Sequence, residues 1–164
     1  MNIFFLHRVP NIAALYHCDK HVVKMILESG QLLATCHHEY GFPVTWKPTH
    51  KNHPSAVWVR QSRLHYDYVN ALGRCLSKEF YRRYGHHHKS GQLFDGELAY
   101  APKPMYSMPL TWQDPPQCMP DEYKQDDTVL AYQAYYRHKQ SIMSMAWYKG
   151  ENHFTPNFME LTHV

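Results

Sequence analysis

No run of about 18 apolar residues, the length that spans a bilayer as a helix, occurs in this 164-residue chain. No membrane partner is therefore expected. Cysteine is sparse. Cys18, Cys36, Cys75 and Cys118 lie far apart with no C-x-x-C pair, so neither a disulfide scaffold nor a paired-cysteine metal knuckle is expected. Reduced, buried thiols in a cytoplasmic protein are the natural reading. A surplus of one charge is missing too: 17 Lys and Arg stand against 14 Asp and Glu. A net charge of +3 does not by itself mark a nucleic-acid binder. No signal segment, internal repeat or domain boundary is apparent, which leaves one domain over residues 1–164. The chain is rich in two things, with 14 histidines and 11 prolines. Histidine changes charge near neutrality, so mild acid would make this surface markedly more basic.

The fold class expected is all-α: three principal helices, a short extended N-terminus ("MNIFFL") and a long Pro-rich connection. Pro10 and Asn11 punctuate the entry to a first helix over 11–38, which Gly41 and Pro43 end. Pro54 suits the first turn of a second helix over 54–84, closed by Gly85. "APKPMYSMPLTWQDPPQCMP" (101–120) carries Trp112 and several Met among its prolines, so it reads as a wrapped, packed loop. A last helix starts at 121 or 128 and runs to 148, with Tyr132, Tyr136, Lys139, Met143 and Trp147 on one face. Tyr132 and Met143 are expected in the core.

On the first helix, "YHCDKHVVKMILESGQ" (16–31) carries a polar line. At ~100° per residue, His17, Lys24, Glu28, Gln31 and Thr35 fall within about 80° of His21 and to one side of it. Most of the remaining surface is apolar, the reverse of an ordinary surface helix. Such a line suits a central helix facing a cleft, or else an ion-paired edge. In a cleft, Glu28 is the candidate acid/base, with His21 and Lys24 as catalytic neighbours and Lys24 as a candidate amine nucleophile. The same Lys24–Glu28 spacing also makes a plain helix ion pair. His17 and His21 stand at the i,i+4 spacing of zinc ligands, but the glutamate that follows the first His in zincins is absent. No metal and no cofactor are expected.

Candidate ligand and phosphate contacts are His17 and Gln31 on that line. To them the sequence adds Lys47, His50, Lys51, Asn52 and His53 ahead of the second helix, and Arg60 and Arg63 within it. A helix N-terminus there would favour an anion. "AWYKG" adds Trp147 as a stacking platform and Lys149 as a phosphate contact.

The order of these features, Asp19, His21 and Glu28 on the first helix, "NHP" at 52–54, "YRRYG" closing the second, and a final helix running into Trp-Tyr-Lys, resembles the phage pyrimidine-dimer DNA glycosylases of the T4 endonuclease V type. The resemblance covers the helical frame and not 101–120. It implies that Glu28 is the essential carboxylate and that an amino-terminal amine attacks the sugar C1′. Asn2 follows Met1 here, so that amine would belong to Met1, and Leu27 replaces the family's arginine before the glutamate. The function expected is a phage-type DNA glycosylase or lyase acting on a damaged or modified base, in the host cytoplasm. The alternative is an anti-defence protein that binds or hydrolyses a small, cyclic nucleotide signal. Partners are accordingly DNA or a small phosphorylated nucleotide, and assembly into a homo-oligomer stays open.

Overall fold

The first predicted helix is broken in two, and the break is enforced by a side chain far away in sequence. The computed structural model describes residues 2–150 and 154–160. Among them the chain forms five α-helices, four short 3-10 helices and no strand. Helix α1 spans Pro10–Tyr16 and α2 spans Asp19–Glu39, so His17 and Cys18 are a corner rather than a helical turn. The last carbonyls of α1, which have no helical partner, go to Arg83: its guanidinium donates to Leu15 O and His17 O at 3.1 and 2.7 Å. The same guanidinium pairs with Asp19 at 3.1 Å and Glu79 at 2.8 Å, with its own side chain only 2% exposed. Cys18 N–H, freed by the break, donates to the Tyr136 hydroxyl at 2.7 Å.

The second predicted helix is likewise two. Helix α3 covers Pro54–Val59 and α4 covers Arg63–Tyr84. Ser62 caps α4 by accepting from Leu64 N–H, and a His65 ring nitrogen takes up Trp58 O near the end of α3, at 2.7 Å. Pro54 occupies the first turn of α3 as expected, and Gly85 ends α4 at φ 75°, where glycine costs little. The last helix, α5, is Thr128–Lys139, capped by Asp127, and stops well short of 148. Beyond it the chain turns back: Tyr148 N–H and Lys149 N–H both donate to Asp19 Oδ2, and Trp147 Nε1–H donates to Tyr16 O.

Helices α2 and α4 make the principal contact, and α1 and α3 pack beside them. The N-terminal run Ile3–Leu6 is buried between them and α5, with Phe5 and Leu6 fully enclosed, though it forms no strand. The Pro-rich stretch is packed, as its apolar content suggests. Met105 is fully buried. Trp112 lies against Phe5, Trp58, His65 and Tyr68. Trp58 Nε1–H donates to Gln113 O. Near its end, Cys118 O accepts from the Asn2 side chain at 2.9 Å, tying this stretch to the N-terminal segment. All four cysteines are free thiols.

Candidate functional site

Only part of the polar line on α2 reaches solvent at a concave surface. Lys24 and Glu28 border a cleft of about 270 Å³ whose opposite walls are Asn2, Phe4, His53, Cys118, Tyr135 and Lys139. The walls thus come from the N-terminal segment, α2, the N-cap of α3, the Pro-rich stretch and α5. The Glu28 carboxylate is 16% exposed and lies 3.7 Å from Lys24 Nζ, whose side chain is 64% exposed. The helix ion pair expected from spacing does form, but at the rim of a cleft rather than on an open face.

Lys139 is the cleft's other ammonium. Its Nζ sits 5.5 Å from the centroid of Phe4 and 5.1 Å from that of Tyr135. Among the described residues no carboxylate pairs with it. Burial lowers its pKa, and the positive charge of Lys24 lowers it further. Both effects raise the fraction of neutral amine. Phe4, which borders the site, is held at φ 51°, a conformation costly for a residue with a Cβ. Its amide donates to Asn2 Oδ1 at 3.0 Å, and its ring stacks on His21 at 4.6 Å.

His21 supports the cleft from beneath. It is 5% exposed and is not one of the lining residues. The Tyr136 hydroxyl accepts from Cys18 N–H, so its single proton is directed at His21 Nδ1, 3.0 Å away. That assignment leaves the neutral ring's own proton on Nε2. Burial, helped by the charges of His17, Lys139 and Lys24, pulls His21 down to about 3. A ring so hard to protonate is a poor proton donor near neutrality. Its position, stacked under Phe4, makes it a support for that ring and not a lining residue of the cleft.

His17 is displaced further. It closes α1, is fully buried, donates from Nδ1 to Ala13 O at 2.6 Å and is lowered by burial to about 4. Its Nε2 makes no hydrogen bond within the described structure. Thr35 is spent on structure, bonding Thr49 N and Thr49 O and so pinning the 41–53 loop to α2. Gln31 is half-buried outside the cleft walls.

The basic segment divides in the same way. His53 lines the cleft, but one of its ring nitrogens already accepts from Ser55 N–H, so the six-residue α3 caps itself. The expected anion seat at that helix end is thus taken by His53. Lys47, His50, Lys51 and Asn52 are exposed on the loop outside the cleft walls. Arg60 holds Lys51 O at 2.6 Å, shaping that loop. Arg63 pairs with Asp67 and lies over Tyr106, away from the cleft. Trp147 is 3% exposed and cannot stack a base, and Lys149 contributes a backbone N–H to Asp19. Asp19 itself is a buried structural carboxylate. The position expected to carry the amino-terminal amine, Met1, lies outside the described residues.

Of the sequence candidates, then, Lys24, Glu28 and His53 meet at one cleft. Asn2, Phe4, Cys118, Tyr135 and Lys139 join them unforeseen. For the α5 pair a signal was available, because Tyr135 and Lys139 stand at i,i+4 in the chain. Among the described residues no group of three or more His, Cys, Asp or Glu is placed to hold a metal ion. Two ammonium groups flanking one half-buried carboxylate can hold an anion and move a proton beside it. Comparison with protein-family models, with curated proteins and with solved structures finds no match.

Proposed function

We propose that the cleft takes one nucleotide unit of damaged or modified DNA and that the chain acts as a DNA glycosylase/lyase-like enzyme. The observation that carries this reading is an amine, Lys139, with lowered basicity and no carboxylate partner among the described residues, sharing one small cleft with Glu28. In the lyase step the Lys139 amine attacks the C1′ aldehyde of an abasic deoxyribose. Water leaves, and an iminium links sugar to protein. The Glu28 carboxylate then takes a C2′ proton, and the 3′-phosphate departs as the C2′–C3′ double bond forms. Lys24, 3.7 Å from Glu28, holds a neighbouring phosphate. In the glycosylase step the Lys139 amine bonds to C1′ as the bond from C1′ to the base breaks. The departing base takes up the proton the amine gives up, with the Glu28 carboxylate beside the sugar.

Borohydride trapping on an abasic-site duplex tests the lyase step. Wild type is expected to give a covalent adduct, and Lys139→Ala to abolish it while Lys24→Ala keeps it. Glu28→Gln should retain trapping but slow strand cleavage by about 10²-fold, the low end for a lost acid/base. An adduct that survives Lys139→Ala overturns the assignment of the amine, and no adduct from wild type overturns the lyase.

A second reading, binding or hydrolysis of a small nucleotide signal, is favoured by the cleft's modest 270 Å³. Thermal stabilisation by a cyclic nucleotide, without a salt-sensitive shift of duplex DNA, would select it.

A further inference from the structure

A second and larger cavity, about 640 Å³, lies along α4 and shares no residue with the Glu28 cleft. Arg74, Lys78 and Tyr81 line it from one face of that helix, at i, i+4 and i+7. His87, His88 and Asp95 line it from the chain that follows. We propose that this cavity is a binding site for a nucleoside monophosphate. The inference stands apart from the reading of the Glu28 cleft.

The floor is built, not incidental. The 3-10 turn Gly91–Phe94 is pressed onto α4 at two glycines. A Cβ on Gly73 would stand 2.2 Å from the Phe94 ring, and one on Gly91 would stand 3.0 Å from Ser77 Oγ. Arg74 fastens the turn by donating to Phe94 O through Nε and a terminal nitrogen, at 3.2 and 3.0 Å. The guanidinium that faces the cavity is therefore fixed in place before any ligand arrives, which lowers the ordering cost of binding.

The wall chemistry has three parts. Tyr81 is half exposed, and its ring pairs with that of His87 at 4.6 Å with a tilt of 31°, an aromatic pair that a base can extend by stacking. Lys78 has no carboxylate partner among the described residues, and Arg74 meets Asp95 at 3.2 Å, so the cavity holds two cations and one anion. His88 Nδ1 accepts from Ser90 N–H at 3.1 Å, so in the neutral ring Nε2–H is the donor that remains. A single phosphate answers the surplus cation and that donor, and the Asp95 carboxylate can accept from a ribose hydroxyl. The same carboxylate repels a continuous phosphate track, and the cavity is concave and within the size range of small-molecule sites. Both points favour a mononucleotide over a nucleic-acid backbone.

Isothermal titration of the full chain with adenosine and thymidine monophosphates tests this, with inorganic phosphate and adenosine as separate probes. Saturable binding of a monophosphate is expected, weakened about tenfold or more by Lys78→Glu, the scale of one lost charged contact. Tyr81→Ala should weaken the monophosphate and leave the binding of phosphate alone unchanged. In the Lys139→Ala background, which alters the Glu28 cleft, saturable binding should persist and Lys78→Glu should still weaken it about tenfold. Because Lys78 and Tyr81 are exposed, unchanged melting of both variants is expected and keeps the comparison valid. Three results would overturn the proposal: no saturable binding at millimolar nucleotide, binding lost in Lys139→Ala but kept in Lys78→Glu, or phosphate bound as tightly as the monophosphate.

Discussion

Arg83 shapes this molecule more than any residue of the polar line does. It takes up the last carbonyls of α1, pairs with Asp19 at the start of α2 and with Glu79 one turn earlier on its own helix. Against burial, which pushes it up, Arg82 and Arg83 together hold Glu79 below the usual carboxylate range. Replacing it by Met would leave two acidic groups with less compensation in a dry environment. Arg83→Met should lower unfolding stability by about 3–5 kcal/mol, read from the urea midpoint. A loss under ~1 kcal/mol, the worth of a surface pair, would show that the network is not acting as a buried one. Tyr136 is the parallel case beneath the cleft. Tyr136→Phe strands Cys18 N–H and leaves His21 Nδ1 without its donor, so a cost of about 1–3 kcal/mol is expected in the same measurement. Trapping should fall with it, because Phe4 rests on His21. Normal trapping in a destabilised Tyr136→Phe would mean that Phe4 holds its place unaided.

At the scale of elements, local signals were legible in the chain and distant ones were not. Pro54 and Gly85 are set by side chains within a few residues of the boundary, and pattern reading finds them, while Thr128 is one of the two starts, 121 or 128, that the pattern offers for α5. The corner at His17–Cys18 depends on Arg83 and Tyr136, each more than 60 residues away, and apolar periodicity runs on through it. The stop at Lys139 has a similar cause. Residues 147–149 are drawn to Tyr16 and Asp19 instead of extending the helix, so Met143 and Trp147 leave the face that spacing assigned them. The break before α4 is intermediate, since Ser62 is a readable cap lying within an otherwise continuous pattern. Ser62→Ala should therefore cost about 1 kcal/mol by urea unfolding, and an unchanged midpoint would mean that His65 and Trp58 alone hold the break. The same logic covers the site. Glu28 and Lys24 were legible because they share a helix, whereas Phe4, Cys118 and Lys139 reach the cleft only through tertiary packing.

For the whole molecule, the consequence of packing so many histidines inside is a pH-dependent fold. His17 and His21 are held near 4 and 3 against an ordinary 6.5, chiefly because burial penalises their charged forms. Burial lowers His37 and His65 in the same direction. The unfolded chain therefore binds more protons than the folded one as pH falls below 6.5, so stability is full above that value and is lost on acidification. Each fully shifted histidine contributes about 1.4 kcal/mol per pH unit in that window. His17 and His21 together then remove about 3–4 kcal/mol between pH 7 and pH 5, a large share of a typical domain's stability. The urea midpoint should fall steadily over this interval, well above the range where carboxylates titrate. His17→Gln should flatten the slope by close to one proton, even if it lowers stability at pH 7. A midpoint constant from pH 7 to 5, or a slope unaltered in His17→Gln, would mean that these rings are charged or hydrated in the folded state. Acid would then reach the cleft chemistry through Lys139 directly, without first loosening the α1–α2 corner on which Phe4 and His21 depend.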